Sequence, residues 1–400
     1  MTTTNQARRS PKSQLLDAVL CFLFGILGVH RFYEGKIATG VAYLLTLGFL
    51  GVGVVADLIQ ILAGVRLDKL GRHIGRPLHT RRRLVNAISI VAGIVIVTAA
   101  FATYAHFANE QNAITDDYYR ATEANLPVEK TYADAGPSSV SSLRKDSGET
   151  TFSEYTVFYP SNLLADDGKT YPAVVFSNAS NAPVEVYEPI LKHLASWGFI
   201  AVGNDDKQSG NGTPASQTLD FLLGQNSAKG SELRGHVDVE NIGLVGYSQG
   251  AAGALNAATQ FDNSGTFSSV FVVSPPSLPL IAEMENDWAY DLGSLDIPMA
   301  AVAGTGEWDS TSIAPLSSLI QSYDALPPST PGMIARRVGT DHEAMLTTAD
   351  PYMTAWFRYT LTHDDFAAGA FAGDEPEISK NPLWSDVETK HLTVTDPTQG

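Results

Sequence analysis

One serine of this chain lies in a setting that suits nucleophilic catalysis. The stretch "GYSQG", residues 246–250, places Ser248 between two glycines, directly after an apolar run and before a predicted helix at Gln249–Gln260. In such a strand–turn–helix setting, flanking glycines let the serine adopt a strained backbone with its hydroxyl exposed. Glycine-rich chains also produce this spacing by chance, so a plain turn is the competing interpretation. The chemistry that the pattern predicts is acyl transfer through a covalent serine intermediate.

A serine hydroxyl attacks poorly without a base, and the base needs a carboxylate to orient it. Of the nine histidines, His342 in "GTDHEAM" follows the last predicted strand and precedes a terminal helix. The loop "GEWDSTS" after the preceding strand offers two carboxylates, and we expect Asp309 rather than Glu307 to be the acid. The chain order is then serine, acid, histidine. The competing interpretation of His342 is a loop histidine hydrogen-bonded to Asp341.

The elements that must position these residues begin at about residue 151. Short, continuous apolar strands alternate with helices from there, which predicts a mostly parallel sheet with helices on both faces. The fold class is therefore α/β. The predicted strands are "YTVFYP", "YPAVVFSN", "FIAVGND", "NIGLVGY", "SSVFVVSPP", "IPMAAVAGT" and "MIARRVGT", and the predicted helices lie at 185–197, 215–225, 249–260 and 351–361.

Five stretches of this region carry a family resemblance: "YPAVVFSNAS", "LASWGFIAVGNDD", "GYSQGAAGA", "GTDHEAML" and "YMTAWFRYTLTHDD". With them, residues 155–371 resemble a bacterial α/β-hydrolase of the chlorophyllase, dienelactone-hydrolase and polyester-hydrolase (cutinase-like) group. The resemblance implies the α/β-hydrolase fold, with Ser248 as nucleophile, His342 as general base and then acid, and Asp309 as the orienting carboxylate. It also implies an oxyanion hole formed by the backbone N–H groups of Gln249 and Ser180.

The chain departs from this group in two places near the candidate site. The group commonly has histidine before the serine and two glycines after the glutamine, where this chain has Tyr247 and "GA". The oxyanion loop, commonly glycine-containing, reads "NASN" from Asn178, and Ala179 would reshape the hole if its position needs positive φ. The candidate pocket residues are Asn178, Tyr247 and Trp308, with packing as the other interpretation of Tyr247 and Trp308.

The first 110 residues have a different character. Three apolar stretches, at residues 15–29, 38–62 and 84–107, contain Asp17 and Asp57 as their only charged residues. The third is long enough to cross a bilayer core, which needs about 20 apolar residues. Buried helices of a soluble domain are the competing interpretation of the first two. Basic residues before the first stretch and between the second and third place both segments in the cytoplasm by the positive-inside rule, so three spans export everything after residue 107.

The turn between the first two apolar stretches has a specific pattern. Residues 25–35, "GILGVHRFYEG", contain Gly-x-x-Gly-x-His-Arg-Phe-Tyr-x-Gly, and an acidic residue, Asp57, follows in the second stretch. With this pattern, residues 12–63 resemble the TM-two domain, a helical membrane hairpin. We expect Arg31 and Asp57 to satisfy each other near the membrane boundary, because ionisable groups there need partners. The alternative is that Arg31 extends to the lipid head groups.

Composition excludes several classes of partner and cofactor. Residues 111–400 carry 14 basic and 38 acidic residues, which argues against nucleic-acid binding. The single cysteine, Cys21, excludes an intramolecular disulfide. No His/Cys cluster has metal-ligand spacing and no nucleotide-binding glycine loop occurs, so neither metal nor cofactor is expected. The predicted segments are 1–13 cytoplasmic N-terminus, 14–63 TM-two hairpin, 64–83 basic cytoplasmic loop, 84–107 third transmembrane helix, 108–150 extracytoplasmic stalk, 151–372 α/β-hydrolase domain and 373–400 polar tail.

The sequence therefore predicts a membrane-anchored, extracytoplasmic serine hydrolase that cleaves carboxylic esters of a small molecule, lipid or polyester. Two alternatives stay open. One is an acyltransferase acting on cell-envelope acceptors, which differs from a hydrolase only in how well the acceptor competes with water. The other is an inactive hydrolase fold used for binding or sensing, against which the intact set of serine, acid and histidine argues. Fold alone does not decide among them, because function resides in the site.

Overall fold

The computed structural model describes residues 9–75, 89–98, 114–165, 168–284 and 286–393. The chain divides into two units, Met1–Ala113 and Ile114–Gly400. The described part of the first unit is helical, and the second is built on a single sheet.

The first unit consists of short helices. Within its described residues, no single helix is both long and apolar enough to cross a bilayer, although Ile37–Phe49 and Val52–Leu62, bent by 117° at their junction, reach that limit together by length and composition. The predicted third span, 84–107, is described only at Ser89–Thr98, and the rest of it lies outside the described residues. Three transmembrane helices therefore remain a prediction. The helices are α1 (Gln14–Phe24), α2 (Val29–Glu34), α3 (Ile37–Leu50), α4 (Val52–Leu62) and α5 (Ser89–Thr98).

A buried network of charges joins α2, α4 and the segment that follows α4. The guanidinium of Arg31 donates to both carboxylate oxygens of Asp57, at 2.6 and 2.8 Å. Arg66 donates to Asp57 at 2.7 Å and to both oxygens of Glu34 at 2.7 and 2.8 Å. The predicted pairing of Arg31 with Asp57 is confirmed. Because a buried charge without a partner is strongly destabilising, these contacts explain how the first unit accommodates Arg31, Glu34, Asp57 and Arg66 among its apolar helices.

The second unit contains a nine-stranded sheet within its described residues, in the order β1-β2-β4-β3-β5-β6-β7-β8-β9. Neighbouring strands from β4 to β8 run parallel, and β1–β2, β2–β4 and β8–β9 are antiparallel. The predicted α/β class and mostly parallel sheet are confirmed. The strands are β1 (Val140–Asp146), β2 (Glu154–Pro160), β3 (Tyr171–Ser177), β4 (Ile200–Asn204), β5 (Val237–Tyr247), β6 (Phe267–Val273), β7 (Met299–Gly304), β8 (Gly332–Arg337) and β9 (Trp384–Lys390).

Helices cover both faces of this sheet. The central strands β3, β4, β6, β7 and β8 and the second half of β5 are buried almost throughout, which is why their sequences are continuous apolar runs rather than alternating ones. One apolar core lies under α7 and α12, and the other lies under α8, α9 and α11. The helices are α6 (Pro127–Ala133), α7 (Glu188–Ser196), α8 (Thr213–Ser227), α9 (Gln249–Gln260), α10 (Leu278–Glu283), α11 (Leu316–Ala325), α12 (His342–Thr362), α13 (Asp365–Ala368) and α14 (Glu377–Lys380).

The predicted stalk, residues 108–150, is largely folded in its described part from residue 114. It contains α6 and β1, and β1 pairs with β2 along its whole length. Glu129 of α6 is fully buried and accepts hydrogen bonds from Arg337 at 2.7 Å and from the Trp384 indole at 2.9 Å. The polar composition misled the sequence interpretation because β1 is a half-exposed edge strand and because a buried ion pair replaces apolar packing at Glu129.

The predicted polar tail, residues 373–400, is also part of the fold up to residue 393. Its strand β9 pairs antiparallel with β8 and closes that edge of the sheet. Trp384, at the start of β9, is buried and supplies the apolar anchor of the segment. Residues 394–400 lie outside the described residues.

Candidate active site

Ser248 occupies a sharp turn between β5 and α9. Its backbone has φ 55° and ψ −125°, a conformation that residues with a Cβ adopt only under strain. A Cβ at Gly246 would lie 2.1 Å from the carbonyl oxygen of Gly250, and one at Gly250 would lie 2.0 Å from the carbonyl oxygen of Ser177. Both glycines are therefore required by close backbone packing, and the turn has the form that the "GYSQG" pattern predicts.

Three side chains from separate loops form one hydrogen-bonded chain. His342 begins α12 after β8, and its Nε2 lies 3.0 Å from Oγ of Ser248. Its Nδ1 lies 2.8 Å from Oδ1 of Asp309, which follows β7. The serine hydroxyl can thus pass a proton to the imidazole, whose other nitrogen faces a carboxylate that stabilises the positive charge.

The environment of Asp309 fixes the direction of its carboxylate. The side chain is fully buried, and its Oδ2 accepts hydrogen bonds from the Ser274 hydroxyl and from the Gly304 backbone N–H, both at 2.7 Å. The remaining oxygen, Oδ1, faces His342. Glu307, the alternative acid, has an exposed side chain. Sequence reasoning missed Ser274, because only its position after β6, beside β7, brings it to Asp309.

Asp341 contacts the backbone of His342 rather than its ring. Its Oδ1 accepts the His342 N–H at 2.8 Å, while both ring nitrogens of His342 face Ser248 and Asp309. The competing interpretation, in which an aspartate neighbour satisfies a structural histidine, therefore does not describe this ring.

The side chain of Gln208 connects one candidate oxyanion residue, Gln249, to Asn181, the neighbour of the other candidate, Ser180. Gln249 is the first residue of α9, where helix geometry leaves backbone N–H groups without intrahelical acceptors. Ser180 lies in an exposed turn after β3, followed by Asn181 at φ 59°. The side chain of Gln208 accepts from Gln249 Nε2 at 3.1 Å and donates to Asn181 Oδ1 at 3.3 Å. Gln208 was not found from the sequence, because it comes from a different loop.

The three candidate pocket residues have different positions. Trp308 is 63% exposed and lines a cleft of about 320 Å³ together with residues 341–344. Tyr247 is buried: its ring stacks on His342 with centroids 5.2 Å apart, and its hydroxyl donates to the His342 carbonyl at 2.8 Å. Asn178 is also buried, and its amide donates to the carbonyls of Asn204 and Asp206 at 2.6 and 2.8 Å. Tyr247 and Asn178 therefore support the site from behind instead of lining an open pocket.

Comparison with known families agrees with this architecture. Residues 10–59 match the TM2 domain, and residues 116–275 match the PET hydrolase-like family. The chain joins a region that matches the TM2 domain to a region that matches the PET hydrolase-like family. The hydrolase-like match begins inside the predicted stalk, in agreement with the folded state of that segment, and it includes Ser248 but ends before Asp309 and His342.

Individual relatives match each domain separately. A bis(hydroxyethyl) terephthalate hydrolase of Streptomyces coelicolor is 26% identical over 71% of this chain and 84% of its own length. The cutinase est1 of Thermobifida alba is 25% identical over 58% of this chain and 73% of its own length. A TM2 domain-containing protein of Dictyostelium discoideum is 47% identical over 12% of this chain and 29% of its own length. The first two are named as enzymes that hydrolyse carboxylic esters, in agreement with the enzyme class expected from the sequence.

Proposed function

We propose that the chain is a serine hydrolase of carboxylic esters, with Ser248, His342 and Asp309 as its catalytic triad. The observation that carries the proposal is the hydrogen-bonded chain from Ser248 Oγ through both His342 nitrogens to a buried carboxylate. Two further features support it. The serine has the strained backbone of a nucleophile elbow, and the relatives of the domain are named as ester hydrolases.

In this mechanism Oγ of Ser248 attacks the ester carbonyl while Nε2 of His342 takes its proton. The tetrahedral oxyanion is stabilised by the backbone N–H groups of Gln249 and Ser180, each contributing about 3 kcal/mol to the lowering of the barrier. The imidazolium then protonates the leaving alcohol, which departs and leaves an acyl-serine. His342 activates a water that hydrolyses the acyl-serine and restores the free enzyme.

The exposed face of Trp308 is the substrate-binding surface that this proposal favours. Its indole is 63% exposed and lies in the same small cleft as His342. An exposed aromatic ring beside a catalytic base can stack on an aryl group or cover an alkyl chain of the substrate. The substrates are therefore esters with an apolar or aromatic group next to the scissile bond.

The experiment that tests the function uses the full-length chain in detergent with p-nitrophenyl butyrate and a fluorophosphonate. We expect hydrolysis that the fluorophosphonate stops, and a single phosphonylated peptide that contains Ser248. An added alcohol that diverts most of the acyl group away from water would instead establish an acyltransferase. A folded chain that neither hydrolyses the ester nor reacts with the fluorophosphonate would establish the binding or sensing module.

We further infer that the first unit anchors this enzyme in the cytoplasmic membrane by three helices, with the hydrolase domain outside. Large apolar side chains of the first unit are turned outward, among them Leu15 at 75%, Phe22 at 74% and Leu45 at 79% exposure. Such an extended apolar surface needs a covering, and lipid is the covering that the TM2 match favours. An uncharacterised membrane protein of Bacillus subtilis that is 44% identical over 36 residues also supports this placement.

Single-cysteine variants test the topology, because Cys21 is the chain's only cysteine. In a Cys21→Ala background, Lys229→Cys reports on the hydrolase domain and Leu70→Cys on the basic loop, both at exposed positions. We expect a membrane-impermeant maleimide to label position 229 but not position 70 in right-side-out vesicles. Inside-out vesicles should show the reverse. Labelling of both positions from one side would contradict the three-span topology.

A further inference from the structure

The two loops that carry the proposed acid and base meet at one side chain. Asp341 Oδ1 accepts the backbone N–H of His342 at 2.8 Å and that of Asp309 at 3.1 Å. Its Oδ2 accepts the N–H of Trp308 at 3.2 Å. Both oxygens are therefore used, and two of the three donors belong to the loop after β7 while the third belongs to α12.

We propose that Asp341 is a positioning residue that fixes the backbone of Asp309 relative to the backbone of His342. This inference rests on the proposed triad and adds to it a residue that acts through the backbones of Asp309 and His342. Its carboxylate joins the backbone of Asp309 directly to the backbone of His342. It therefore fixes the backbone positions from which both triad side chains extend.

The contacts differ from those of an ordinary helix cap. An N-terminal capping side chain normally accepts the N–H of the second or third helical residue, within its own helix. Asp341 accepts the N–H of the first residue of α12, His342, and also two N–H groups at the start of the separate helical turn at residues 307–313. Capping of α12 would require neither of these two bonds.

Close backbone packing places the two loops within reach of this carboxylate. The N–H of Gly306 donates to the Thr340 carbonyl at 2.7 Å. A Cβ at Gly306 would lie 2.4 Å from the Asp341 Cβ, and one at Gly304 would lie 2.1 Å from the Thr340 carbonyl oxygen. Any side chain at Gly306 would therefore displace Asp341 from its present position.

The negative charge of Asp341 strengthens its three hydrogen bonds to backbone N–H groups. Desolvation opposes ionisation, but the backbone N–H donors of His342, Trp308 and Asp309 outweigh it and hold the pKa of the carboxyl below its usual value. The group is therefore ionised at neutral pH, and hydrogen bonds to an ionised acceptor are about twice as strong as neutral ones. An asparagine at this position would lose the charge and turn an amide N–H toward at least one of the three donors.

The test compares Asp341→Asn and Gly306→Ala with wild type in the full-length chain. We expect each to lower kcat on p-nitrophenyl butyrate by about 10-fold or more with KM within about twofold, because small displacements of catalytic groups affect the chemical step more than binding. The rate of phosphonylation of Ser248 should fall in parallel. The two substitutions disturb the same contacts from opposite sides. The test therefore stays valid if one of the two variants folds poorly.

Asp364→Asn is the matched control. Asp364 also caps a short helix, accepting the N–H groups of Phe366 and Ala367, but it contacts no triad residue in the described structure. We expect this variant to lower Tm without lowering kcat. If Asp341→Asn lowers Tm like the control and leaves kcat and phosphonylation unchanged, Asp341 is only a cap and the inference is wrong. Failure of the proposed function would be seen separately, as absent hydrolysis by the wild-type chain.

Discussion

Replacing Ser248 with alanine is expected to lower kcat for ester hydrolysis by at least about 10⁴-fold, the range found when a triad nucleophile is removed. The reason is that Ser248 carries the only hydroxyl that contacts Nε2 of His342 in the described structure. The measurement is p-nitrophenyl butyrate hydrolysis by wild type and variant purified in parallel, together with a thermal melt. Retained hydrolysis by the folded variant would exclude Ser248 as the nucleophile.

A second substitution at the same position separates the hydroxyl from the backbone strain. Alanine keeps a Cβ, so it retains the strain of φ 55°. Glycine removes both the hydroxyl and the backbone strain. Releasing a strained conformation of this kind stabilises the folded state by about 1–3 kcal/mol. We therefore expect Ser248→Gly to be inactive and to have a higher Tm than Ser248→Ala. A lower Tm for Ser248→Gly would indicate that the turn is not strained.

The buried centre of the fold could be predicted from the sequence because it follows local rules. Central parallel strands must be apolar on both faces, so runs such as residues 241–247 are recognisable without any contact information. The bounds of α9 were predicted as Gln249–Gln260, as observed, because the backbone changes abruptly at Ser248. The candidate triad could be predicted for a related reason, since its members follow the ends of β5, β7 and β8.

The edges of the fold could not be predicted in this way. β1 and β9 are polar and half-exposed, so their sequences resemble linkers. Both are held by hydrogen bonds to neighbouring strands. β9 is also held by the buried carboxylate of Glu129, which contacts Arg337 and Trp384 more than 200 residues away. Such long-range contacts leave no local sequence pattern. Ser274 and Gln208 could not be predicted for the same reason, because they reach the site from other loops.

Two candidate pocket residues, Asn178 and Tyr247, are buried in the structure. Asn178 belongs to the candidate oxyanion loop and was expected near substrate, whereas Tyr247, next to the nucleophile, was expected either near substrate or in packing. A polar side chain beside a strand end can equally turn inward when backbone carbonyls need donors, as those of Asn204 and Asp206 do here. Burial raises the pKa of Tyr247, so its phenol stays neutral and donates to the His342 carbonyl.

Replacing Asp309 with asparagine is expected to lower kcat by about 10³- to 10⁴-fold while leaving the fold intact. The effect follows from the two donors on Oδ2, the Ser274 hydroxyl and the Gly304 N–H. An asparagine satisfies both donors only by placing its carbonyl oxygen there, which turns its NH₂ group toward His342. That NH₂ donates to Nδ1, so the proton of the neutral imidazole moves to Nε2. Nε2 then no longer accepts the proton of Ser248.

Glu307→Gln is the matched control for this substitution, since Glu307 lies two residues away on the same loop with an exposed side chain. We expect its kcat to stay within about twofold of wild type, because changes at exposed positions that contact no reacting group have small effects. The comparison uses kcat and phosphonylation rates at one pH, with melts to verify folding. A large loss in Glu307→Gln together with a near-normal Asp309→Asn would move the acid to Glu307, and it would require the loop after β7 to rearrange when substrate binds. Equal, small losses in both would mean that His342 works without an orienting carboxylate, which its 2.8 Å contact with the buried Oδ1 of Asp309 argues against.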